Sequence, residues 1–190
     1  QIDLNLGCPS GTVTGKNKGA GLLRQPQLLR QLLDGIFDAL PDMKISVKTR
    51  IGWERAEEWP ALLALLETYP ICRLTVHPRV RTQFYKGTAD REVFRWTAEH
   101  TALPLCCNGD VTTVCDLREM GETFPDDELW FLMGTDMFLT LQKWHEPEVI
   151  CSLAHLAGFA RTQSDSGELL AVQAKYLHDT FGADVRTIQL

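Results

Sequence analysis

Residues 2–10 read Ile-Asp-Leu-Asn-Leu-Gly-Cys-Pro-Ser, a short β-rich run that leads directly into a thiol and a proline. Apolar and polar residues alternate from Ile2 to Leu6, which predicts a strand. Further β-rich runs follow along the chain at Lys44 to Thr49, Cys72 to Val76, Leu103 to Cys107 and Leu129 to Met133. The first stretch therefore introduces a pattern that the rest of the chain repeats.

Amphipathic helical stretches separate these runs. They are Pro26 to Leu40, Glu57 to Tyr69, Glu92 to His100 and Thr113 to Phe124. In the first of them the apolar residues follow the i, i+3, i+4 spacing of a helix that buries one face. Strands that alternate with helices at this interval predict βαβ units and a parallel sheet.

Chemically reactive and glycine-containing segments concentrate at the carboxyl ends of the predicted strands. They are Asn5-Leu6-Gly7-Cys8-Pro9, Lys48-Thr49-Arg50, His77-Pro78-Arg79, Asn108-Gly109-Asp110 and Gly134-Thr135-Asp136. In a (β/α)8 barrel these strand ends converge on one mouth, where residues distant in sequence can surround one ligand. A doubly wound sheet is the alternative, but it normally has a glycine-rich dinucleotide turn after its first strand. We therefore predict an α/β fold of the TIM-barrel type.

The number of predicted units does not complete such a barrel. About five βα units are visible where eight are needed, so we expect an incomplete barrel over 1–145, with the missing strands before Gln1. After Trp144 the pattern changes to two helices, Glu146 to Arg161 and Gly167 to Phe181, with no further strand. We interpret 146–190 as the start of a separate helical domain.

Composition restricts the class of protein. The chain has 44% hydrophobic residues, as a soluble globular protein does. It contains no apolar run near the roughly 20 residues that a membrane-spanning helix needs, and it shows no export signal. We therefore expect a cytoplasmic protein without a membrane partner. The six cysteines form no CxxC pair and have no zinc spacing, so we expect no metal. A net charge of −6 argues against nucleic acid, unless basic residues such as Arg79, Arg81 and Lys86 form a local cluster.

Four segments, in the same order, resemble the tRNA-dihydrouridine synthases. They are Ile2 to Ser10, Ser46 to Gly52, Val76-His77-Pro78-Arg79 with Gln83, Tyr85, Lys86, Gly87 and Ala89 behind it, and Cys107-Asn108-Gly109-Asp110. The resemblance extends over residues 1–145 and weakens in the tail. It implies the barrel catalytic domain of that family, with its N-terminal strands missing, followed by the start of a helical tRNA-binding domain.

The resemblance also implies a reaction. FMN at the barrel mouth, reduced by NADPH, would pass hydride from N5 to C6 of a uridine in tRNA while the thiol of Cys8 protonates C5. The implied substrate-binding residues are Asn5, Arg50, Arg79 and Arg81. The implied cofactor-binding residues are Lys48, His77, Asn108, Gly109, Asp110, Gly134 and Thr135. Lys48 and His77 would contact the isoalloxazine, where a cation stabilises the reduced ring. We expect a monomer.

One segment departs from the family pattern. The family usually has Gly-Arg-Gly after the last strand, with the arginine on the FMN phosphate, whereas this chain has Gly134-Thr135-Asp136. Replacing a cation by a neutral residue and an acid should weaken the binding of a phosphate dianion, unless backbone N–H groups and Thr135 suffice to bind it. We therefore expect reduced affinity for FMN.

Two other functions fit the same residues. Flavin barrels that reduce a free pyrimidine, as in dihydroorotate and dihydropyrimidine dehydrogenases, carry a similar Asn-x-x-Cys-Pro turn. The basic and aromatic segment from His77 to Ala89 favours RNA over a free base. The third hypothesis is a paralogue that binds tRNA without catalysis, and the presence or absence of bound flavin separates it from the two enzymes.

Overall fold

The structure is a computed structural model that describes residues 1–160 and 167–188. It divides into two compact units, Gln1–Asp110 and Val111–Leu190. Every strand pair in the described part of the chain is parallel, and helices connect the strands. The prediction of an α/β fold with parallel sheets is therefore confirmed.

The first unit contains a four-stranded sheet. Its strands are β1 (Ile2–Leu6), β2 (Ile45–Arg50), β3 (Arg73–His77) and β4 (Leu105–Cys107), in the spatial order β1-β2-β3-β4. Its helices are α1 (Gly11–Thr14), α2 (Pro26–Ala39), α3 (Trp59–Leu66) and α4 (Arg91–His100). The strands lie in chain order, as in a (β/α)8 barrel, whereas a doubly wound sheet reverses its order at a switch point. Closure into a barrel stays a prediction.

The two faces of this sheet differ in polarity. Val47 and Leu74 pair in register and are 1% and 0% exposed. The adjacent register row contains Asn5, which is exposed, and Lys48 and Thr75, which are partly buried. Because successive side chains of a strand point to opposite faces, the predicted site residues on β1 to β3 share one face.

Helices cover the apolar face. α2 begins at Pro26, where a missing N–H costs little, and it buries Leu29 and Leu33 completely. α3 is joined to α4 by a buried hydrogen bond in which the Trp59 indole donates to Thr97 Oγ1 at 2.7 Å. These contacts hold α2 in the core and bind α3 to its neighbour α4.

The second unit contains a three-stranded sheet. Its strands are β5 (Trp130–Gly134), β6 (His155–Phe159) and β7 (Val185–Ile188), in the order β5-β6-β7. Its helices are α5 (Val114–Thr123), α6 (Thr135–Phe138), α7 (Pro147–Leu153) and α8 (Gly167–Phe181). The core of the unit includes Met133, Phe138, Leu156, Leu170 and Leu177, each no more than 1% exposed.

The prediction of two helices without a further strand after Trp144 is wrong. α8 has the expected bounds, but α7 ends at Leu153 and is followed by β6, while β7 follows α8. The predicted helix end at Arg161 lies outside the described residues. The structure therefore has seven described strands where about five were expected. The assignment of 146–190 to a separate tRNA-binding domain stays a prediction.

Gly158 explains why the sequence pattern did not predict β6. A Cβ added at Gly158 would lie 2.8 Å from Cγ of Phe138, so the aromatic ring requires glycine at this position. Glycine weakens a strand signal, and the apolar run that contains it matches a helix equally well.

Within residues 1–160 and 167–188, every helix is too short or too polar to span a bilayer.

Candidate active site

The carboxyl ends of β1, β2 and β3 bring four of the predicted site residues together. Asn5 pairs in register with Lys48, and Arg50 pairs with His77. The side chains at positions 48 and 50 point to the same face of β2, because they are two residues apart. This face of the first unit is the candidate active site.

Lys48 is a half-buried cation beside the turn that follows β1. The Asn5 side chain accepts a hydrogen bond from the Gly7 N–H at 3.0 Å, and a Cβ added at Gly7 would lie 3.7 Å from both Asn5 Oδ1 and Lys48 Nζ. Burial, and then the charge of Arg50, lower the pKa of Lys48. No carboxylate pairs with Lys48 among the described residues. An ammonium group in this setting favours an electron-rich ligand.

Arg50 is buried, although the sequence predicted a contact with RNA. It is 1% exposed, and it donates to the carbonyl oxygens of Gly7 at 3.0 Å and Val80 at 3.2 Å. Its guanidinium carbon lies 5.4 Å from the ring centroid of Tyr85. Burial lowers the pKa of Arg50, while Tyr85 opposes this change. Arg50 therefore connects the end of β1 to the loop after β3, and its role toward RNA stays a prediction.

His77 is neutral at physiological pH. It is 6% exposed, and its pKa is lowered to about 4 by burial and by the positive charges of Arg50, Lys48 and Arg79. Asp110 opposes this change only weakly. The imidazole Nε2 lies 3.0 Å from Nη1 of Arg79. His77 can therefore act as a hydrogen-bonding group without adding charge to the site.

Arg79 is held rigidly beside His77. It is 3% exposed, and its Nη2 donates to the Gly87 carbonyl at 2.6 Å and to Oδ2 of Asp110 at 2.5 Å. Burial alone would raise the pKa of Asp110, but hydrogen bonds from the Ala89 N–H and from Arg79 hold it below its usual value. Two of the predicted site residues thus form an ion pair within the first unit.

The turn after β4 packs against the imidazole. Asn108 continues the strand pairing through its N–H, which donates to the Val76 carbonyl at 3.0 Å. Gly109 has a φ of +109°, and a Cβ added there would lie 3.0 Å from His77 Nε2. The predicted cofactor residues 108–110 therefore lie at His77, whereas their contact with a phosphate stays a prediction.

A glycine-rich loop encloses Cys8. The Ala20 N–H donates to the Cys8 carbonyl at 3.1 Å, and Gly19, at a φ of +54°, approaches so closely that an added Cβ would lie 3.0 Å from Cys8 Cβ. Arg81 donates from Nε to the Pro9 carbonyl at 3.1 Å. The thiol is partly exposed on a loop that is fixed from both sides. The predicted RNA contact of Arg81 stays a prediction.

The sequence did not reveal a stack of two arginines on Trp53. The guanidinium carbons of Arg24 and Arg81 each lie 4.6 Å from the Trp53 ring centroid, within cation–π distance. Arg24 also donates to Asn17 Oδ1 at 3.1 Å. No sequence spacing connects positions 24, 53 and 81, because their proximity arises only when the loops after β1, β2 and β3 meet.

Gly134 and Thr135 belong to the second unit. Gly134 ends β5, and the Thr135 hydroxyl donates to the Phe159 carbonyl of β6 at 3.3 Å. Their predicted role at a cofactor phosphate stays a prediction. In neither described range, 1–160 or 167–188, do three or more His, Cys, Asp or Glu side chains gather as metal ligands would.

The comparison with protein families gives the assignment. The model of the family described as dihydrouridine synthase matches residues 1–125 of the 190. The chain belongs to the dihydrouridine synthase family. The matched range contains every residue of the candidate site in the first unit, and the resemblance seen in the four sequence segments is confirmed.

Several dihydrouridine synthases are similar in sequence. A probable tRNA-dihydrouridine synthase of Rickettsia conorii is 34% identical over 119 residues, which cover 62% of this chain and 36% of the relative. One of Rhizobium leguminosarum is 37% identical over 120 residues, covering 63% and 38%. The tRNA-dihydrouridine synthase B of Proteus vulgaris is 36% identical over 112 residues, covering 58% and 34%. The matches thus span only about a third of the length of these relatives.

Proposed function

We propose that this protein is a tRNA-dihydrouridine synthase that reduces the C5–C6 bond of specific uridines in tRNA, with FMN as its cofactor and NADPH as its reductant. The observation that carries this proposal is that the half-buried Lys48 ammonium and the neutral His77 imidazole lie on the same face of the sheet, at the carboxyl ends of the adjacent strands β2 and β3. Relatives named tRNA-dihydrouridine synthases support it. We further propose that the protein acts as a monomer in the cytoplasm.

The residues of the site fit FMN. Lys48, a cation without a carboxylate partner among the residues that the structure describes, and the neutral imidazole donor of His77 match the electron-rich pyrimidine edge of an isoalloxazine, which becomes negatively charged on reduction. When bound, FMN supplies the hydride that is transferred to C6 of the uracil. Lys48 would stabilise the negative charge, and His77 would donate a hydrogen bond. The proposed phosphate and loop contacts in the first unit are Asn108, Gly109 and Asp110.

Cys8 is the proposed general acid. Its thiol would transfer its proton to C5 of the uracil, and solvent would then reprotonate the thiolate. Asn5, which pairs in register with Lys48, would hold the base through its side-chain amide. The uridine has to leave its stack to reach these groups, which is how enzymes commonly reach a base.

The distribution of charge supports RNA as the substrate. The stretches 4–33, 43–53 and 68–89 contain eleven of the 19 lysines and arginines and none of the 25 acidic residues. Lys16, Lys18 and Arg24 are exposed on the loop that follows Cys8, and Tyr85 is 73% exposed in the loop after β3. Cations with exposed aromatic rings are typical of surfaces that bind RNA strands. The net charge of −6 therefore does not exclude this partner.

Removing two of these lysines should weaken tRNA binding in a salt-dependent manner. For Lys16→Gln with Lys18→Gln, we expect the slope of log affinity against log salt concentration to fall by about 1 for each lysine. Arg95→Gln is the control, because this partly exposed arginine lies on α4, outside these three stretches, and pairs with Glu92 at 3.1 Å. An unchanged slope in the double variant would place the RNA surface elsewhere.

The visible absorption spectrum of the full-length protein tests the proposed function. We expect flavin bands after addition of FMN, bleaching by NADPH, and recovery of the bands on addition of tRNA but not of free uracil. Recovery with free uracil would instead favour a reductase of free pyrimidines. Absence of flavin binding at any FMN concentration would overturn both enzyme hypotheses and favour a paralogue that binds tRNA without catalysis.

A further inference from the structure

The contact between Arg79 and His77 determines which imidazole nitrogen carries the proton. A guanidinium group has only donors, so the ring nitrogen 3.0 Å from Arg79 Nη1 has to accept. That nitrogen is Nε2, and a neutral imidazole that accepts at Nε2 carries its proton on Nδ1. We propose that Arg79 is a positioning residue that fixes His77 as the Nδ1–H tautomer.

The surroundings of Arg79 prevent it from turning away. Its Nη2 is bound by the Gly87 carbonyl and by Asp110, and the same Asp110 oxygen accepts the Ala89 N–H at 2.6 Å. The guanidinium is therefore fixed by an acceptor from each of two loops. A carboxylate, a guanidinium and an imidazole form one connected series, in which each group orients the next.

The turn after β4 occupies the same edge of the imidazole. The backbone of Gly109 lies so close that an added Cβ would be 3.0 Å from Nε2. Nδ1, in contrast, has no hydrogen-bond partner in the part of the chain that the structure describes. Nδ1 is therefore the nitrogen that remains available to a ligand, and Arg79 ensures that it is a donor.

The charges around His77 keep this tautomer neutral. Lys48 and Arg50 act from β2 and Arg79 from the loop after β3, against the single carboxylate of Asp110. Together with burial they lower the pKa of His77 to about 4. Protonation of Nε2 would also place an N–H donor against the N–H donors of the Arg79 guanidinium, where neither group can accept a hydrogen bond. The imidazole is consequently half protonated near pH 4 and becomes a predominantly neutral donor as the pH rises above that value.

A neutral donor suits the reaction proposed above, on which this functional part of the inference rests. Lys48, Arg50 and Arg79 already supply positive charge around His77, so a protonated imidazole would add to this repulsion and favour deprotonation of Lys48. A neutral His77 can instead donate a directional hydrogen bond to the cofactor without adding to this repulsion. Arg79 would thus act on the cofactor only through His77, and it would not touch the reacting atoms.

The test is nitrogen-15 NMR of the histidine rings in the full-length protein without FMN, with His77→Gln to assign the signals. We expect a protonated Nδ1 and an unprotonated Nε2 in the wild type. Arg79→Met should make both tautomers of His77 available. It should also raise the pKa of His77 from about 4, where a rise of one pKa unit means that the imidazole binds its proton ten times more tightly. Arg79→Lys, which retains charge and donors, should preserve the wild-type tautomer.

Arg91→Met is the matched control. Arg91 donates to the Asp110 backbone carbonyl at 3.1 Å, so this variant removes a nearby cation without removing the donor to Nε2. It should leave the tautomer unchanged. A wild type with the proton on Nε2, or a folded Arg79→Met with unaltered tautomer and pKa, would overturn the inference. Because no FMN is present, failure of the proposed reductase activity would not alter these outcomes.

Discussion

Replacing Cys8 with alanine is expected to lower the rate of dihydrouridine formation by about 10²- to 10⁴-fold, the usual contribution of a general acid. The substitution removes the thiol proton but not the contacts of the loop, because the Cys8 carbonyl still accepts the Ala20 N–H. Reduction of the flavin by NADPH should keep its wild-type rate, since this step needs no proton from Cys8. Single-turnover kinetics on tRNA, with flavin absorbance as the signal, separates the two steps.

The matched control for this substitution is Cys115→Ala. Cys115 is an exposed thiol on α5, and its loss should change neither step. Cys8→Ser, which keeps a hydroxyl of much weaker acidity, should fall close to the alanine variant. If Cys8→Ala instead retained a rate within about tenfold of the wild type, the thiol would not be the proton donor.

Replacing Gly109 with alanine should destabilise the protein and disturb the site. Its φ of +109° costs a residue with a Cβ about 1–3 kcal/mol, and the added atom would meet His77 Nε2 at 3.0 Å. The imidazole has little room to yield, since Arg79 binds the same nitrogen. We expect a lower free energy of unfolding in urea, together with a weaker affinity for FMN.

Gly87→Ala separates the two causes. Gly87 also has a positive φ, +65°, but a Cβ added there would meet nothing within 4 Å. It should therefore show the backbone strain without the collision, and bind FMN as the wild type does. Equal destabilisation and equal FMN affinity in the two alanine variants would show that the close approach of Gly109 to His77 does not matter.

The sequence predicted elements whose signal is local. The apolar spacing in α2 and the alternation in β1 produced bounds within one residue of those observed, because each depends on neighbours a few positions away. β6 was missed because its glycine is explained only by Phe138, twenty residues earlier. The family could be identified from four segments because the resemblance depends on the residue types within each segment. It does not depend on how the segments are arranged in the folded structure.

The contacts of the buried arginines could not be predicted from the sequence. The family resemblance implied that Arg50 contacts the RNA substrate, although an arginine is seldom fully buried without a carboxylate. In the structure the carbonyl oxygens of Gly7 and Val80 serve as its acceptors instead. Likewise, nothing in the order of residues indicated that Asp110 would bind Arg79 across 31 positions. Such pairs follow from strand register, which composition does not encode.

The two contacts of Arg81 link the movement of separate parts of the first unit. One guanidinium binds the Pro9 carbonyl beside the thiol and also covers the ring of Trp53. The loop that carries Cys8 and the loop that carries Trp53 are therefore held by the same side chain, and removal of the Arg81 guanidinium would take one contact from each of them.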